Sequence, residues 1–330
     1  DIGAGYQHVP DTVGIKEQIA MHKGHIIDKY KAKKFIAYLQ NYSNTYLPLA
    51  TLEKYLLEAC DEDVVRIALA TRPDCVSDSY LEKLADIKSK TKVDISVELG
   101  LQTVNYHALE EIRRGHSLAE YLDAMQRINK YGLESCTHVI LNLPGSDRLD
   151  VIETAKVLSA MKTTEAKIHA LYIIKGTSMA EEYLAGKLQL VSMEEYMERV
   201  ILFLEYLDKA IVVQRLIGRA PESHTEFSNW GEKWWEIKGK IDKMLEERDG
   251  YQGRLCDYLN GKALKKYEVI KPLLESPNRT RADVIKRAEE YSFNVSALYK
   301  WIKAYEAEGV VTSLLPKERV DKGGKRLDDN

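Results

Sequence analysis

Residues 93–116 bring a carboxylate, an amide and a guanidinium close together in the sequence. The stretch begins with alternating apolar residues typical of a buried strand, and the polar residues Glu98 and Gln102 follow where that strand ends. A helical pattern comes next and ends near Arg114. Since ligands bind at the carboxyl ends of the strands in parallel α/β proteins, the stretch predicts a polar ligand-binding site.

The elements that would position this site are strands and helices that alternate along the chain. Strand patterns lie at 35–40, 64–70, 93–99, 136–143 and 167–174, with a further strand-like segment at 211–216. Helical patterns lie at 14–30, 49–60, 77–90 and 148–162. Repeated βα units predict an α/β fold, either a full or partial barrel or a doubly wound parallel sheet. We favour the barrel because no G-x-G-x-x-G follows the first strand.

Polar side chains recur where these strands end. They are Gln40, Asn41, Asn44 and Thr45 after the first strand, Thr71, Arg72 and Asp74 after the second, and Glu98 and Gln102 after the third. His138 lies within the fourth strand and His169 within the fifth. Turns favour several of these residue types, which explains any single position. The recurrence at successive strands, with Arg and His included, favours a shared site at one edge of the sheet.

Composition narrows the class of protein. A length of 330 residues predicts two domains or one large domain, and the formal net charge of −3 gives no reason to expect nucleic acid or an acidic substrate. No apolar run is long enough to cross a membrane and no signal-peptide pattern is present, so we expect a cytoplasmic protein without a membrane partner. The scattered cysteines form no CxxC pair, so the printed sequence shows no zinc or iron–sulfur site.

Several segments, in order, resemble motifs of the radical S-adenosylmethionine (SAM) enzymes, especially the bacterial branch related to Elp3 and coproporphyrinogen oxidase. They include YLQNYSNTY at 38–46, VELGLQT at 97–103, EIRRGH at 111–116 and HVILNLPGS at 138–146. The resemblance covers residues from about 1 to 267. It implies a partial (β/α)6 TIM-like barrel with its first strand missing, in a domain at 1–180, and a helical extension at 181–267.

The same resemblance implies SAM and a 4Fe-4S cluster as cofactors. In this family a CxxxCxxC loop holds the cluster, and reductive cleavage of SAM gives a 5′-deoxyadenosyl radical that abstracts hydrogen from the substrate. The chain has no such loop, so the cluster ligands are expected upstream of Asp1 and this chain alone is expected to be inactive. A small-molecule or tRNA substrate and an electron donor such as flavodoxin or ferredoxin are also implied.

The resemblance implies a set of SAM-binding residues, and these are Gln40, Asn41, Asn44, Thr45, Glu98, Gln102, Arg114, His138, Leu141 and Leu143. Glu98 would accept hydrogen bonds from both ribose hydroxyls, and Gln102 with Arg114 would hold the SAM carboxylate or ribose. The loop at 40–45 would meet the methionine end of SAM. The backbone at 141–143 would line the adenine.

Two alternatives to these assignments stay open. Glu98 and Arg114 could form an ion pair at the barrel rim, and His138 could be a core histidine with its hydrogen bonds satisfied. The sequence also departs from the family pattern, because Asn142 replaces the usual Gly and Ser146 replaces the usual Glu. Ser146 is nevertheless expected to cap the helix that follows.

Residues 279–309 predict two helices joined by a tight turn, in a small all-α domain at 268–330. Thr280 would cap the first helix. The segment resembles the DNA-binding helix-turn-helix of transposases related to phage Mu and Tn7. This resemblance implies DNA contacts through residues 279–326, with phosphate contacts from the basic tail at 317–326 and base contacts from Ser296, Tyr299, Lys300 and Lys303. The alternative is a plain αα-hairpin with a solvated charged face.

Two hypotheses of function from different classes follow. The leading one is a radical SAM enzyme, truncated before its cluster cysteines, that acts on an unidentified substrate. The other is a DNA-binding helix-turn-helix protein of transposase origin whose barrel is an inactive scaffold. SAM binding that weakens on Glu98→Ala would favour the first hypothesis, and salt-dependent binding to duplex DNA would favour the second.

Overall fold

Six parallel strands form the central sheet. The computed structural model describes residues 12–40, 43–219, 224–256, 262–276, 278–309 and 311–314. Its strands are β1 (Phe35–Leu39), β2 (Val64–Thr71), β3 (Asp94–Gln102), β4 (Glu134–Ile140), β5 (Glu165–His169), β6 (Ile173–Ile174), β7 (Val212–Arg215) and β8 (Thr225–Phe227). The parallel sheet has the order β1-β2-β3-β4-β5-β7. Neighbours in this sheet follow one another along the chain, which is the order of a half-barrel rather than of a doubly wound sheet.

Helices connect the strands and pack on the sheet. They are α1 (Ile15–Tyr30), α2 (Leu49–Ala59), α3 (Asp78–Thr91), α4 (Tyr106–Glu111), α5 (Leu118–Lys130), α6 (Arg148–Ala160), α7 (Ser178–Leu184), α8 (Met193–Tyr206) and α9 (Trp234–Glu247). Helix α5 illustrates the cause of this packing, because its buried residues recur at helical spacing, at Tyr121, Ala124, Met125 and Ile128. Among the described residues, no helix is long and apolar enough to span a membrane.

The chain divides into two compact units, Asp1–Gly253 and Arg254–Asn330. This division differs from the predicted boundaries at residues 180 and 267. The physical reason is strand β7, which comes from the predicted helical extension but pairs with β5 in the parallel sheet. The extension therefore completes the sheet of the first unit.

The apolar run at 167–174, predicted as one strand, forms two elements. Strand β5 ends at His169, and the backbone N–H of Leu171 then donates to the side-chain oxygen of Asn142 at 2.7 Å. Strand β6 follows and pairs antiparallel with β8 instead of joining the main sheet. An apolar run indicates burial but does not show which partner its backbone will find.

In the second unit, helices α10 (Lys262–Glu275), α11 (Arg281–Glu290) and α12 (Val295–Glu308) share a core of their own. Its fully buried members include Ile270, Val284, Ala288, Leu298 and Ile302. The two helices predicted at 279–309 are therefore present. Thr280 caps α11 as expected, in a capping box with Asp283. The predicted basic tail at 317–326 lies outside the described residues.

Candidate functional site

A cleft of about 250 Å³ opens where the strands of the parallel sheet end. It is lined by five of the predicted SAM-binding residues, which are Gln40, Glu98, Gln102, Arg114 and His138. Glu98 and Gln102 both come from the carboxyl half of β3. In register, His138 on β4 lies beside Gly100 on β3, and Lys167 on β5 lies beside His138. The structure thus brings polar residues from neighbouring strands onto one wall.

Glu98 is a buried carboxylate at the centre of this wall, with 2 % of its surface exposed. The Lys167 ammonium donates to both of its oxygens, at 2.6 and 2.7 Å, and the His138 Nε2–H donates to Oε2 at 2.8 Å. Burial alone would raise the pKa of Glu98, but the His138 hydrogen bond and the Lys167 charge lower it to about 2. Glu98 is therefore ionised at neutral pH.

Two histidines extend this network toward the mouth of the cleft. The His138 and His169 rings stack with their centroids 5.2 Å apart, and His169 Nε2 lies 3.3 Å from His138 Nδ1. Burial lowers the pKa of His138 although Glu98 opposes the shift, and burial together with the Arg215 charge holds the pKa of His169 well below its usual value. Both rings are therefore neutral at pH 7.

The end of β3 forms a cradle around the carbonyl of Gly100. This oxygen accepts hydrogen bonds from Arg114 Nη2 at 3.1 Å and from His116 Nε2 at 2.9 Å. The strand bulges between Gly100 and Gln102, and Gln102 takes a left-handed φ of 72°. A Cβ atom on Gly100 would lie 2.5 Å from Arg114 Nη2 and 2.6 Å from Gln102 Nε2. A side chain at this position would displace the ends of the Arg114 and Gln102 side chains, which occupy the space of a Cβ.

Arg114 is a largely buried cation at this cradle. Among the described residues it has no carboxylate partner, and its guanidinium hydrogen-bonds only the Gly100 carbonyl. Burial and the nearby Arg72 charge lower the pKa of Arg114 to about 10, so it stays charged at pH 7. Arg72 differs, because it forms a two-pronged ion pair with Asp74 at 2.8 and 2.9 Å. Arg114 is thus available to an anionic group of a ligand.

Comparison with known proteins identifies the family. The radical SAM superfamily matches residues 13–158, and the radical SAM C-terminal domain matches residues 163–247. YtqA, an uncharacterised protein of Bacillus subtilis, is 37% identical over 238 residues, which are 72% of this chain and 73% of YtqA. The chain belongs to the radical SAM superfamily. Radical SAM proteins use SAM and a 4Fe-4S cluster, so both groups are implied for this chain.

The radical SAM chain is also similar to a solved structure and to a tRNA-modifying protein. The archaeal Methanocaldococcus infernus Elp3 with an N-terminal deletion matches with a TM-score of 0.60 and 18% identity, over 72% of this chain and 59% of that one. At this identity the match supports the fold, a partial radical SAM barrel. The tRNA uridine(34) acetyltransferase of Methanocaldococcus jannaschii is 25% identical over 202 residues, which are 58% of this chain and 36% of that protein.

The described residues do not fit a 4Fe-4S cluster. Cys60, Cys75, Cys136 and Cys256 are all free thiols. In the described part of the chain, the one group of three possible metal ligands is Glu98, Cys136 and His138, within 4.8 Å of one another. It contains a single thiol, and Lys167 already holds its carboxylate. A cluster needs several thiolates, so this group is not a cluster site.

The chemistry of the cleft fits SAM better than it fits a cluster, on two observations. Arg114 is a buried cation with no carboxylate partner among the described residues, and SAM carries a carboxylate. The Gly100 position leaves room only for the Arg114 and Gln102 side chains, which fixes both at the cleft wall. A SAM contact from Arg114 and Gln102 stays a prediction.

Other predicted SAM residues have structural contacts instead of lining the cleft. The Asn44 amide donates to the carbonyls of Leu39 and Ala70, at 2.9 and 2.8 Å, and so ties the end of β1 to β2. Thr45 is buried, as are Leu141 and Leu143. Asn41 lies outside the described residues. A SAM contact from these positions stays a prediction.

The helix after the fourth strand is capped by a different residue from the one predicted. Asp147 accepts hydrogen bonds from the backbone of Leu149 and Asp150 and forms a capping box with Asp150. The hydroxyl of Ser146 has no hydrogen-bond partner among the described residues. The prediction that Ser146 caps α6 is therefore wrong, because the cap lies one residue later, where the aspartate reaches the free N–H groups.

The predicted alternative of an ion pair between Glu98 and Arg114 is also not formed, since Glu98 binds Lys167 and His138.

The sequence analysis did not identify Lys167 and Arg215 as residues of this cleft region. A signal for Lys167 was present, because a lysine and a histidine at alternate positions interrupt an otherwise apolar strand, at Lys167 and His169.

Proposed function

We propose that the cleft binds SAM and that this chain is the barrel of a radical SAM enzyme. The observation that carries the proposal is the cradle at Gly100, where Arg114 is held as a buried cation beside Gln102. In this arrangement the Arg114 fork faces the SAM carboxylate or ribose, and the Gln102 amide adds a donor and an acceptor. The chemistry that bound SAM supplies in this family is hydrogen abstraction after its reductive cleavage.

Glu98 has fewer free acceptor positions for the ribose hydroxyls than the sequence analysis predicted. A carboxylate offers about four lone-pair positions, and Lys167 and His138 already use three of them on Glu98. The Tyr38 hydroxyl also hydrogen-bonds Glu98, so all four positions have a partner. We therefore assign Glu98, as its main role, the positioning of Lys167 and His138 at the wall of the cleft.

The substrate of the proposed enzyme is a small molecule or a tRNA. Similarity to a tRNA uridine(34) acetyltransferase supports the tRNA option. The formal net charge of −3 does not support tRNA binding, because proteins that bind RNA usually carry a positively charged surface. An electron donor such as flavodoxin or ferredoxin belongs to the same proposal, because reductive cleavage of SAM needs an electron from outside the chain.

Calorimetric titration with SAM tests the proposed site. We expect the wild-type chain to bind SAM, and Arg114→Gln to weaken binding about tenfold to hundredfold, since the variant removes a charged hydrogen bond. Arg113→Gln is the matched control, because Arg113 is an exposed neighbour that does not line the cleft. No binding by the wild-type chain, or equal losses in both variants, would contradict the proposal.

A second function is supported by one observation in the second unit. Ser296, Tyr299, Lys300 and Lys303 are all exposed, and their spacing puts them on a single face of α12. Leu298 and Ile302 on the opposite side are buried in the core. We propose that this exposed face contacts duplex DNA, as the second helix of a helix-turn-helix does.

Duplex binding at several salt concentrations tests this second proposal. Replacing Lys300 and Lys303 together by Gln is expected to reduce the slope of log K against log salt by about 2, because each lysine that contacts a phosphate releases a counterion. The charge-matched control replaces Lys265 and Lys271, which are exposed on α10. Equal slopes for the two double variants would remove the support for a DNA-binding face on α12.

A further inference from the structure

Arg215, at the end of β7, is a second cation of the cleft whose charge is not offset. It lines the cleft and is exposed, and among the described residues it has no carboxylate partner. Its Nη2 lies 3.2 Å from His169 Nδ1 and 2.7 Å from His169 Nε2. The low pKa of His169 keeps that ring neutral, so the contact orients Arg215 without neutralising it.

Arg215, His169, His138 and Glu98 form a chain of hydrogen bonds in which each group donates to the next. Because Glu98 is ionised, the neutral His138 donates through Nε2, and its Nδ1 must then accept from His169 Nε2–H at 3.3 Å. Of the two His169 nitrogens that Arg215 Nη2 contacts, Nδ1 at 3.2 Å is then the one that can accept, although Nε2 lies closer at 2.7 Å. One N–H of Arg215 is used in this way. The other donors of the guanidinium remain for a ligand in the cleft.

Arg215 and Arg114 are anchored on different strands of the sheet. Arg114 is held by Gly100 on β3 and Arg215 by His169 on β5, and β4 lies between these strands. Neighbouring strands are about 5 Å apart, so the two anchoring positions are separated by about 10 Å. If SAM places its carboxylate at Arg114, Arg215 is anchored two strands away and is left for a different group.

The charges of the cleft indicate what that group is. Glu98 offsets Lys167 and Asp74 offsets Arg72, and within the part of the chain that the structure describes no carboxylate offsets Arg114 or Arg215. We propose that Arg215 binds an oxyanion of the substrate, a carboxylate or a phosphate, and so orients the substrate against bound SAM. The inference rests on the proposed function, because it takes Arg114 as the cofactor-binding arginine.

Protection from chemical modification tests whether Arg215 binds oxyanions. The full chain is treated with phenylglyoxal in acetate, in inorganic phosphate or in chloride at equal ionic strength, and the modification rate of each arginine is followed by mass spectrometry. We expect acetate or phosphate to slow modification of Arg215 several-fold relative to chloride, with and without SAM. Protection by acetate alone identifies a carboxylate substrate, and protection by phosphate alone identifies a phosphorylated one.

Arg219 is the internal control for this measurement, because it is an exposed arginine close in sequence that does not line the cleft. Equal protection of Arg215 and Arg219, or none at either, would overturn the inference. This readout does not depend on SAM, so it remains decisive even if SAM binding itself fails.

Variants of Arg215 separate the substrate site from the cofactor site. We expect Arg215→Gln to remove the calorimetric signal of the protective anion while SAM affinity changes less than twofold. Arg215→Lys keeps the charge but loses the fork, and should recover part of the anion binding. If Arg215→Gln weakens SAM as much as Arg114→Gln does, Arg215 binds the cofactor, and the inference fails while the proposed function stands. Circular dichroism checks that both variants fold.

Discussion

Lys167→Met is expected to destabilise the first unit by about 3–5 kcal/mol at pH 7. The substitution keeps an apolar side chain of similar length but removes the ammonium that contacts both oxygens of Glu98. Glu98 would then be a buried charge without a cationic partner, left with neutral hydrogen-bond donors at His138 and Tyr38, and breaking one side of a buried ion pair carries a penalty of about this size. Urea unfolding of the first unit measures it.

A double variant shows whether the uncompensated charge is the cause. Lys167→Met combined with Glu98→Gln leaves neither partner of this pair charged, so it should recover most of the lost stability. Lys238→Met is the surface control, because Lys238 pairs with Asp242 in an exposed i,i+4 pair and should change stability by less than about 0.5 kcal/mol. A loss below about 1 kcal/mol for Lys167→Met, or no recovery in the double variant, would contradict the prediction.

The same pair predicts how stability depends on pH. The pKa of Glu98 is lowered from 4.5 to about 2 in the folded chain, so its contribution to stability is fully present above pH 4.5. The contribution is lost as the pH falls toward 2, and it corresponds to about 3 kcal/mol. In Lys167→Met this acid-dependent loss should shrink, because the pKa of Glu98 rises when the ammonium is absent.

Much of the fold could be read from the sequence because local patterns determine it. The alternation of Ile95, Val97 and Leu99 predicted β3, and the βα repeats predicted a parallel sheet with sequential neighbours. For the site, the end of the strand pattern also indicated where Glu98 and Gln102 lie. Neither result needs knowledge of distant contacts.

The remaining site residues could not be predicted in this way, because their partners are far away in sequence. Lys167 reaches Glu98 across 69 residues, and Arg215 reaches His169 across 46. These contacts depend on strand register, which a single sequence specifies weakly. The break after β5 has a similar origin, because the side chain of Asn142 takes the Leu171 N–H.

Gly100→Ala is expected to weaken SAM binding by about tenfold or more while the chain stays folded. The new Cβ would occupy the space of Arg114 Nη2 and Gln102 Nε2, both at the ends of flexible side chains that can move away. Stability should therefore fall by no more than about 1 kcal/mol. Affinity should fall further, because the Arg114 guanidinium loses its fixed position on the Gly100 carbonyl. Calorimetry with SAM and urea unfolding measure the two effects.

Gly239→Ala is the matched control for this substitution. Gly239 lies within α9 with no atom within 4 Å of an added Cβ, so the change should stabilise that helix slightly and leave SAM affinity unaltered. If Gly100→Ala lowers stability by several kcal/mol, Gly100 is needed for packing, because the Arg114 side chain cannot move away from the new Cβ. If it changes neither quantity, Arg114 does not need the cradle to bind its ligand. Only a loss of affinity in a stable variant supports Gly100 as the residue that positions the SAM-binding side chains.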